Sequence, residues 1–324
     1  MAMSVREVLD RDEWSGIVTD FRAHPLQSWG WGDLKERTGS WTARRMACER
    51  DGAVCGGGQV LVRKLPWPFG NICYIPRGPI AKTPAEAAEV ADALAAWCKE
   101  HVSAVSVKID PALTADEACF GSAWRPASRV LLAKTAVIDL APSEDDIMKG
   151  IHSKKARQYI RKAGRDGVVV RRATREDLPA IMSIYHNTAE SDDFFIHTDE
   201  YYETAFDACS DTNQLFIAEF EGEPQAFLWN VTTSGTAFEL WGGVTDEGKR
   251  LRANYLLKWT AICAAKESGA LLYDLNGLFN DGISRFKLLF VSGPTEWVGA
   301  LDRPLSPLYS AWELALKVYR RLFK

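Results

Sequence analysis

WTARRMACERDGAVCGGGQVLVRK, residues 41–64, reads as two strands, 41–50 and 53–64, joined by Asp51-Gly52. An Asp-Gly pair between two apolar-rich runs predicts a hairpin, because both central turn residues need positive φ. Beyond it come a loop, LPWPFG at 65–70, and a short strand, ICYI at 72–75. An Ala-rich helix follows over 84–101, opened by Thr83 as cap and Pro84 at its first position. Strands are predicted at 104–109 and 129–139, and short helices before the hairpin at 10–22 and 28–38. The same order returns later. A second hairpin spans 214–233 with its turn at Glu221-Gly222, and Gly222 lies 170 residues after Gly52. It is followed by a strand at 236–242, a helix at 252–268 and a strand at 271–274. Moving the first helix and strand by that offset lands close to the second pair. One order of elements repeated at one offset predicts two α/β units of one fold.

Hairpin, strand, helix, strand is the middle of an acetyltransferase-like (GNAT-type) domain. The expected fold is α/β (α+β), two tandem GNAT-like units of the acyl-CoA N-acyltransferase type. The first is expected over 1–145, with a C-terminal helix inside 303–324 packing back on it, and the second over 146–302. The 324 residues suit two domains, and 47% hydrophobic with 25% charged residues excludes a disordered chain. A net charge of −4 excludes a bulk polycation that coats nucleic acid but permits a local basic patch. Seven cysteines form no C-x-x-C pair, and five histidines form no H-x-x-x-H pair. Structural zinc and a disulfide framework are therefore not expected, and the cysteines fit a reducing cytosol. MAMSVREVLDRDEW does not read as a signal peptide, and no stretch reads as a membrane span, so a cytoplasmic protein is expected.

The joint between the halves is basic. Residues 149–172 hold nine Lys or Arg against one acid, Asp166. Behind Ser153 as cap, Lys154, Arg157, Arg161 and Arg165 recur at helical spacing and form one stripe. Like charges at that spacing repel unless an anion faces them, so a phosphate backbone or a diphosphate is one reading and a solvated face the other.

Four segments together resemble the Fem family of peptidoglycan cross-bridge transferases. They are QSWGWGDLKERTGSW at 27–41, KKARQYIRKAGRDGVVVRRA at 154–173, LLYDLNGLF at 271–279 and GISRFKLLF at 282–290. The resemblance covers nearly the whole chain. It implies an aminoacyl-tRNA-dependent aminoacyltransferase. An amine of a peptidoglycan stem peptide, on lipid II or UDP-MurNAc-pentapeptide, attacks the aminoacyl ester and a peptide bond forms. No cofactor or metal is implied, because the ester is already activated. The enzyme must supply alignment and charge stabilisation. Two alternatives stay open: the same transfer onto another amine, such as a peptide natural product, and a non-catalytic double GNAT protein that binds tRNA or precursor.

The resemblance also implies roles. Lys287 stands at the lysine of the F-K-x-x-F motif near the reaction centre, with Phe286 and Phe290 around it. Lys35 matches a lysine that holds precursor phosphate. Tyr201 matches a tyrosine of the acceptor pocket, His197 replaces a second phosphate-binding arginine, and Trp241 replaces an acceptor-contacting tyrosine. Val291 stands where the family favours glycine, and the second unit carries no heptad insertion, so a short form without the coiled-coil arm is implied. Ordinary GNAT chemistry would need a Q/R-x-x-G-x-G/A loop for pyrophosphate. The equivalent GKRLRANY at 248–255 lacks the second glycine, which disfavours acetyl-CoA. Arg250 and Arg252 there, with Lys154, Arg157 and Arg161, are the expected contacts to RNA phosphate. Asp110, before Pro111 at a strand end, is a candidate acid. The C-terminal SPLYSAWELALKVYRRLF, 306–323, predicts an amphipathic helix with Leu308, Trp312, Ala315, Leu316 and Tyr319 on its packed face. Its basic end, Lys317, Arg320, Arg321 and Lys324, suits a peripheral contact with the inner face of the cytoplasmic membrane. The chain is expected to act as a monomer.

Overall fold

The computed structural model describes residues 3–279 and 281–322, and side chains within these apart from those of Arg320 and Leu322. The chain forms two compact units, Met1–Ala133 with Glu296–Lys324, and Lys134–Thr295.

The first unit begins with β1 (Ser4–Glu7), α1 (Arg11–Asp20), α2 (Trp29–Thr38), β2 (Trp41–Arg50), β3 (Ala53–Lys64) and β4 (Asn71–Ile75). It continues with α3 (Pro84–His101), β5 (Ala104–Ile109) and β6 (Arg125–Pro126). Asp51 and Gly52 turn the hairpin with φ of 55° and 77°, as a type I′ turn requires. Thr83 and Glu86 form a reciprocal capping box on α3, with Pro84 in its first turn. That helix lays Val90, Ala91, Leu94 and Cys98 on the sheet. It sits close because β3 is glycine-rich there: a Cβ on Gly58 would meet Leu94 at 2.8 Å.

The second unit holds β7 (Lys134–Thr135), β8 (Val137–Asp139), α4 (Glu144–Gly150), α5 (Lys154–Arg165), β9 (Val169–Arg172), α6 (Leu178–Ser191) and α7 (Asp199–Ala208). Then come β10 (Asn213–Phe220), β11 (Glu223–Thr232), β12 (Thr236–Val244), α8 (Asp246–Leu251), α9 (Ala253–Glu267), β13 (Leu272–Asp274), α10 (Gly282–Lys287) and β14 (Thr295–Glu296). Glu221 and Gly222 again turn a hairpin at positive φ, 52° and 83°. The chain returns to the first unit with β15 (Leu301–Pro304) and α11 (Tyr309–Leu322).

The sheet orders show the repeat. The first is β1-β2-β3-β4-β5-β15-β6 and the second is β8-β13-β12-β11-β10-β9. In each, an antiparallel run of four is followed by a parallel strand reached through a helical crossover: β4 to β5 through α3, and β12 to β13 through the short α8 and then α9.

Boundaries differ from the sequence reading, among them the end of the second unit, which is Thr295 and not 302 because β15 pairs with β5 in the first sheet. The strand expected at 129–139 is reduced to β7 and β8, because the carbonyl of Leu132 is held by the Arg77 guanidinium, 3.1 Å away, instead of a ladder. The joint falls at 133/134, not 145/146, because β8 pairs antiparallel with β13 and so belongs to the second sheet. The helix expected from Ser306 starts at Tyr309, since Ser306 and Pro307 lie in a turn closed by Tyr309 N donating to Ser306 O at 3.1 Å. Trp312 and Leu316 are half-buried, but Ala315 and Tyr319 of the expected packed face are exposed. Phe323 and Lys324 of that helix lie outside the described residues.

Candidate active site in the second unit

The parallel pair β12 and β13 stays in register for three residues, ending at Phe238 opposite Asp274. Beyond that point β13 stops, while β12 runs on to Val244 past a bulge facing Trp229 and Asn230. Asn276 turns the departing chain at φ 62°. Where the strands part, the first residue of the diverging stretch is Glu239. It pairs with the ammonium of Lys258, carried by α9. Both side chains are nearly inaccessible, 10% and 4% exposed. Tyr273 Oη lies 3.2 Å from the Glu239 carboxylate and accepts a bond from Asn230 Nδ2 at 3.1 Å. Burial holds Lys258 below the ordinary lysine value, against the pull of Glu239, and pushes the Tyr273 phenol well up.

Lys287 closes this end of the unit. It ends α10, which Asp281 caps by accepting from Ser284 N at 2.7 Å. Its Nζ donates to the carbonyls of Gly277 at 3.2 Å and Asn276 at 3.4 Å. The lysine is 9% exposed, so it is not a surface residue of an amphipathic helix. The carbonyls it holds are fixed from below: Leu278 N bonds Lys134 O at 2.9 Å, and Asp274 Oδ1 accepts both Asn276 N and the Thr135 hydroxyl. Phe286 packs on Tyr255 and Phe290, at ring separations of 5.0 and 5.4 Å, with the Lys258 ammonium 5.8 Å from its ring.

His197, Tyr201 and Trp241, apart in sequence, come together in one aromatic wall. The His197 ring stacks on Tyr201 at 3.9 Å, and Trp241 meets Tyr201 at 6.1 Å and Tyr202 at 5.0 Å, both edge-on. Tyr202 Oη accepts the backbone N–H of His197 at 3.1 Å, which ties the 192–198 loop to α7.

The basic residues do not all share one face. Lys154 and Arg161 are exposed on α5, but Arg157 turns back to the carbonyl of Ile151, which removes it from the stripe. Lys162 is paired with Asp166 at 2.5 Å. Arg250 is paired with Glu247 on α8 rather than presented alone. Arg252 sits 4.7 Å over the Tyr159 ring, with Lys155 5.6 Å from the same ring. Tyr159 in turn packs on Tyr255, the neighbour of Phe286, so a contiguous basic and aromatic surface leads from α5 to Phe286. Where a GNAT pyrophosphate loop would run, the short α8 stands instead, and its Gly248 N–H is taken by Thr245 Oγ at 2.9 Å.

Two expected residues belong to the first unit. Lys35 on α2 lies 4.3 Å over the Trp31 ring. Asp110 is fully buried; it accepts from Tyr74 Oη at 2.6 Å and from Arg77 N at 2.7 Å, and burial raises its carboxyl. This corrects its reading as a cleft acid, because both oxygens hold the turn after β4 and neither faces open space. Among the described residues no group of three His, Cys, Asp or Glu stands ready for a metal.

Glu239, Lys258, Tyr273 and Asn230 were not anticipated. The signal was there: Glu239 in AFELW and Lys258 in LLKWTAI are single charges of opposite sign in apolar runs. The same oddity marked Lys287 in FKLLF.

Two tandem GNAT-type units with a buried lysine at the parted strands define the class, a double-GNAT acyltransferase fold. Residues 13–123 match the FemAB family and 152–288 match the acetyltransferase (GNAT) domain. The chain is 28% identical to the lipid II:glycine glycyltransferase of Staphylococcus aureus strain USA300, across 90% of this chain and 92% of that protein. It is also 28% identical to the protein of the same name from Staphylococcus epidermidis, there across 63% of this chain and about half, 53%, of the relative's length. Among solved structures, FemX superposes with a TM-score of 0.82 at 21% identity, over 96% of this chain and 99% of that one. A tandem GNAT protein from the clavulanic acid pathway gives 0.51 at 12% identity, over 94% and 99%.

Proposed function

We propose that this chain is an aminoacyltransferase that extends the stem peptide of a peptidoglycan precursor, taking its acyl group from an aminoacyl-tRNA. The observation that carries the reading is Lys287. Of its three N–H donors two are occupied by the carbonyls of Gly277 and Asn276, and no described residue accepts from the third, which we assign to a reacting oxygen. In the reaction the acceptor amine bonds the acyl carbon, the ester C–O bond breaks, and the proton lost by nitrogen passes to the departing ribose oxygen. Negative charge appears first on the acyl oxygen and then on that ribose oxygen. A buried ammonium aimed there stabilises both without reorganising. The aromatic wall of His197, Tyr201 and Trp241 receives the acceptor; Lys35, carried by the first unit, keeps only the role the resemblance implies, contact with precursor phosphate. The names of the Staphylococcus relatives support a peptidoglycan acceptor and glycine as the transferred residue. The occupied Gly248 N–H argues against a CoA pyrophosphate.

The test is a transfer assay with purified protein, glycyl-tRNA and either lipid II or UDP-MurNAc-pentapeptide, read by mass spectrometry. One added glycyl residue, abolished by ribonuclease, is expected. Turnover of acetyl-CoA with no use of charged tRNA would overturn the donor. Transfer to other amines but not to either precursor would overturn the acceptor, and retention of charged tRNA without turnover would leave a binding protein.

The exposed stripe gives a second prediction. Changing Lys154 and Arg161 to Gln together should weaken charged-tRNA binding and make it less salt-sensitive. Two lost phosphate contacts should reduce the slope of log K against log salt by about 1.5. An unchanged slope would assign both side chains to solvent.

A further inference from the structure

α11 carries apolar residues on two sides. Trp312 and Leu316 face the first unit, where Trp312 packs on Phe69 at a ring separation of 5.3 Å. Tyr309 on the same side donates to the buried Asp302 at 3.1 Å. On the opposite side Ala311, Leu314, Ala315 and Val318 recur at helical spacing and are all exposed, Leu314 at 63% and Val318 at 48%. Among the described residues nothing covers that second stripe. Lys317 and Arg321 run along one border of it, both exposed and one turn apart. The loop that supplies Phe69 also carries Trp67, 93% exposed between Pro66 and Pro68, and is preceded by exposed Lys64.

We infer that this surface of the first unit docks on an anionic lipid bilayer. Four features point to that occupant. An apolar helical stripe with a cationic border is the pattern of a helix lying in a lipid interface. Its depth suits shallow insertion, since only one side of one helix is free. A fully exposed tryptophan on a proline-stiffened loop beside the helix suits the headgroup level, where the indole is half solvated. The border is cationic, which complements an acidic leaflet and opposes a second copy of the same surface. No described helix is long and apolar enough to cross a membrane, so the contact is peripheral. It extends the proposed function by bringing the chain to a lipid-linked acceptor, but it does not depend on that reaction.

Flotation of the full chain with vesicles tests it, using phosphatidylglycerol mixed into phosphatidylcholine against phosphatidylcholine alone, with no precursor present. Binding to the anionic vesicles is expected at low salt, and its loss near 1 M salt, where the Debye length is about 3 Å. Lys317→Gln with Arg321→Gln should weaken binding about 25-fold, at roughly fivefold per cation. Leu314→Gln with Val318→Gln should weaken it at least about tenfold even at low salt, since insertion is lost. Trp67→Ser should weaken it in the same direction. These side chains are exposed, so thermal melting should be unchanged. An intact chain that stays with the buffer at low salt overturns the inference, as does equal flotation of the Leu314/Val318 variant. A vesicle-free dimer dispersed by Leu314→Gln would assign the stripe to a second copy. Transfer to a soluble precursor, unchanged in all these variants, keeps the two proposals separable.

Discussion

Lys287→Met is expected to lower kcat by at least about 100-fold, the scale for removing one donor aimed at a developing oxyanion. The change keeps length and helix propensity while deleting the charge. It also leaves the carbonyls of Gly277 and Asn276 without a donor, at a cost of about 1–3 kcal/mol in stability. The two effects are separable. Single-turnover rates at saturating substrate, measured well below the variant's Tm, report chemistry on folded protein. A melting curve reports the loop. A variant that melts early but turns over at the parental rate would make Lys287 a fastening for the Asn276 and Gly277 carbonyls and remove it from catalysis. A loss confined to KM would place its ammonium on ground-state substrate instead.

Much of the fold was legible because its signals are local. Two turns that demand positive φ, at Asp51-Gly52 and Glu221-Gly222, and two apolar helices behind them were enough to find the repeat. The exchange of outer strands was not legible. β8 comes before the second hairpin yet pairs with β13, and β15 comes from the far end of the chain yet pairs with β5. Strands of three or four residues carry almost no periodic signal, and their partners lie more than 130 residues away. The aromatic wall assembled His197, Tyr201 and Trp241 as one group, although nothing local links a loop, a helix and a strand. Asp110 misled for a physical reason. A carboxylate after a strand looks the same in sequence whether it faces a cleft or fastens a turn, and only Tyr74 and the Arg77 N–H decide. The stripe on α5 failed at Arg157 in the same way, because helical spacing gives the direction of a Cβ and not where a long side chain ends.

The buried pair at the parted strands should dominate stability. Lys258→Met leaves the Glu239 carboxylate buried beside an uncharged phenol, at a cost of about 3–5 kcal/mol. Glu239→Gln leaves the ammonium without its counter-charge, with a loss of similar size. Changing both removes both buried charges and should recover most of the loss, so urea unfolding of the four proteins closes a cycle with strongly favourable coupling. Coupling near zero would mean that water reaches both groups and that Glu239 and Lys258 are not one buried unit. Turnover of the double variant adds the link to function. The pair stands where the strands separate, and its lysine lies against the ring of Phe286, next to Lys287 in the chain. If stability recovers while kcat stays low, the two charges act by positioning Phe286 and the lysine after it, beyond holding the sheet together.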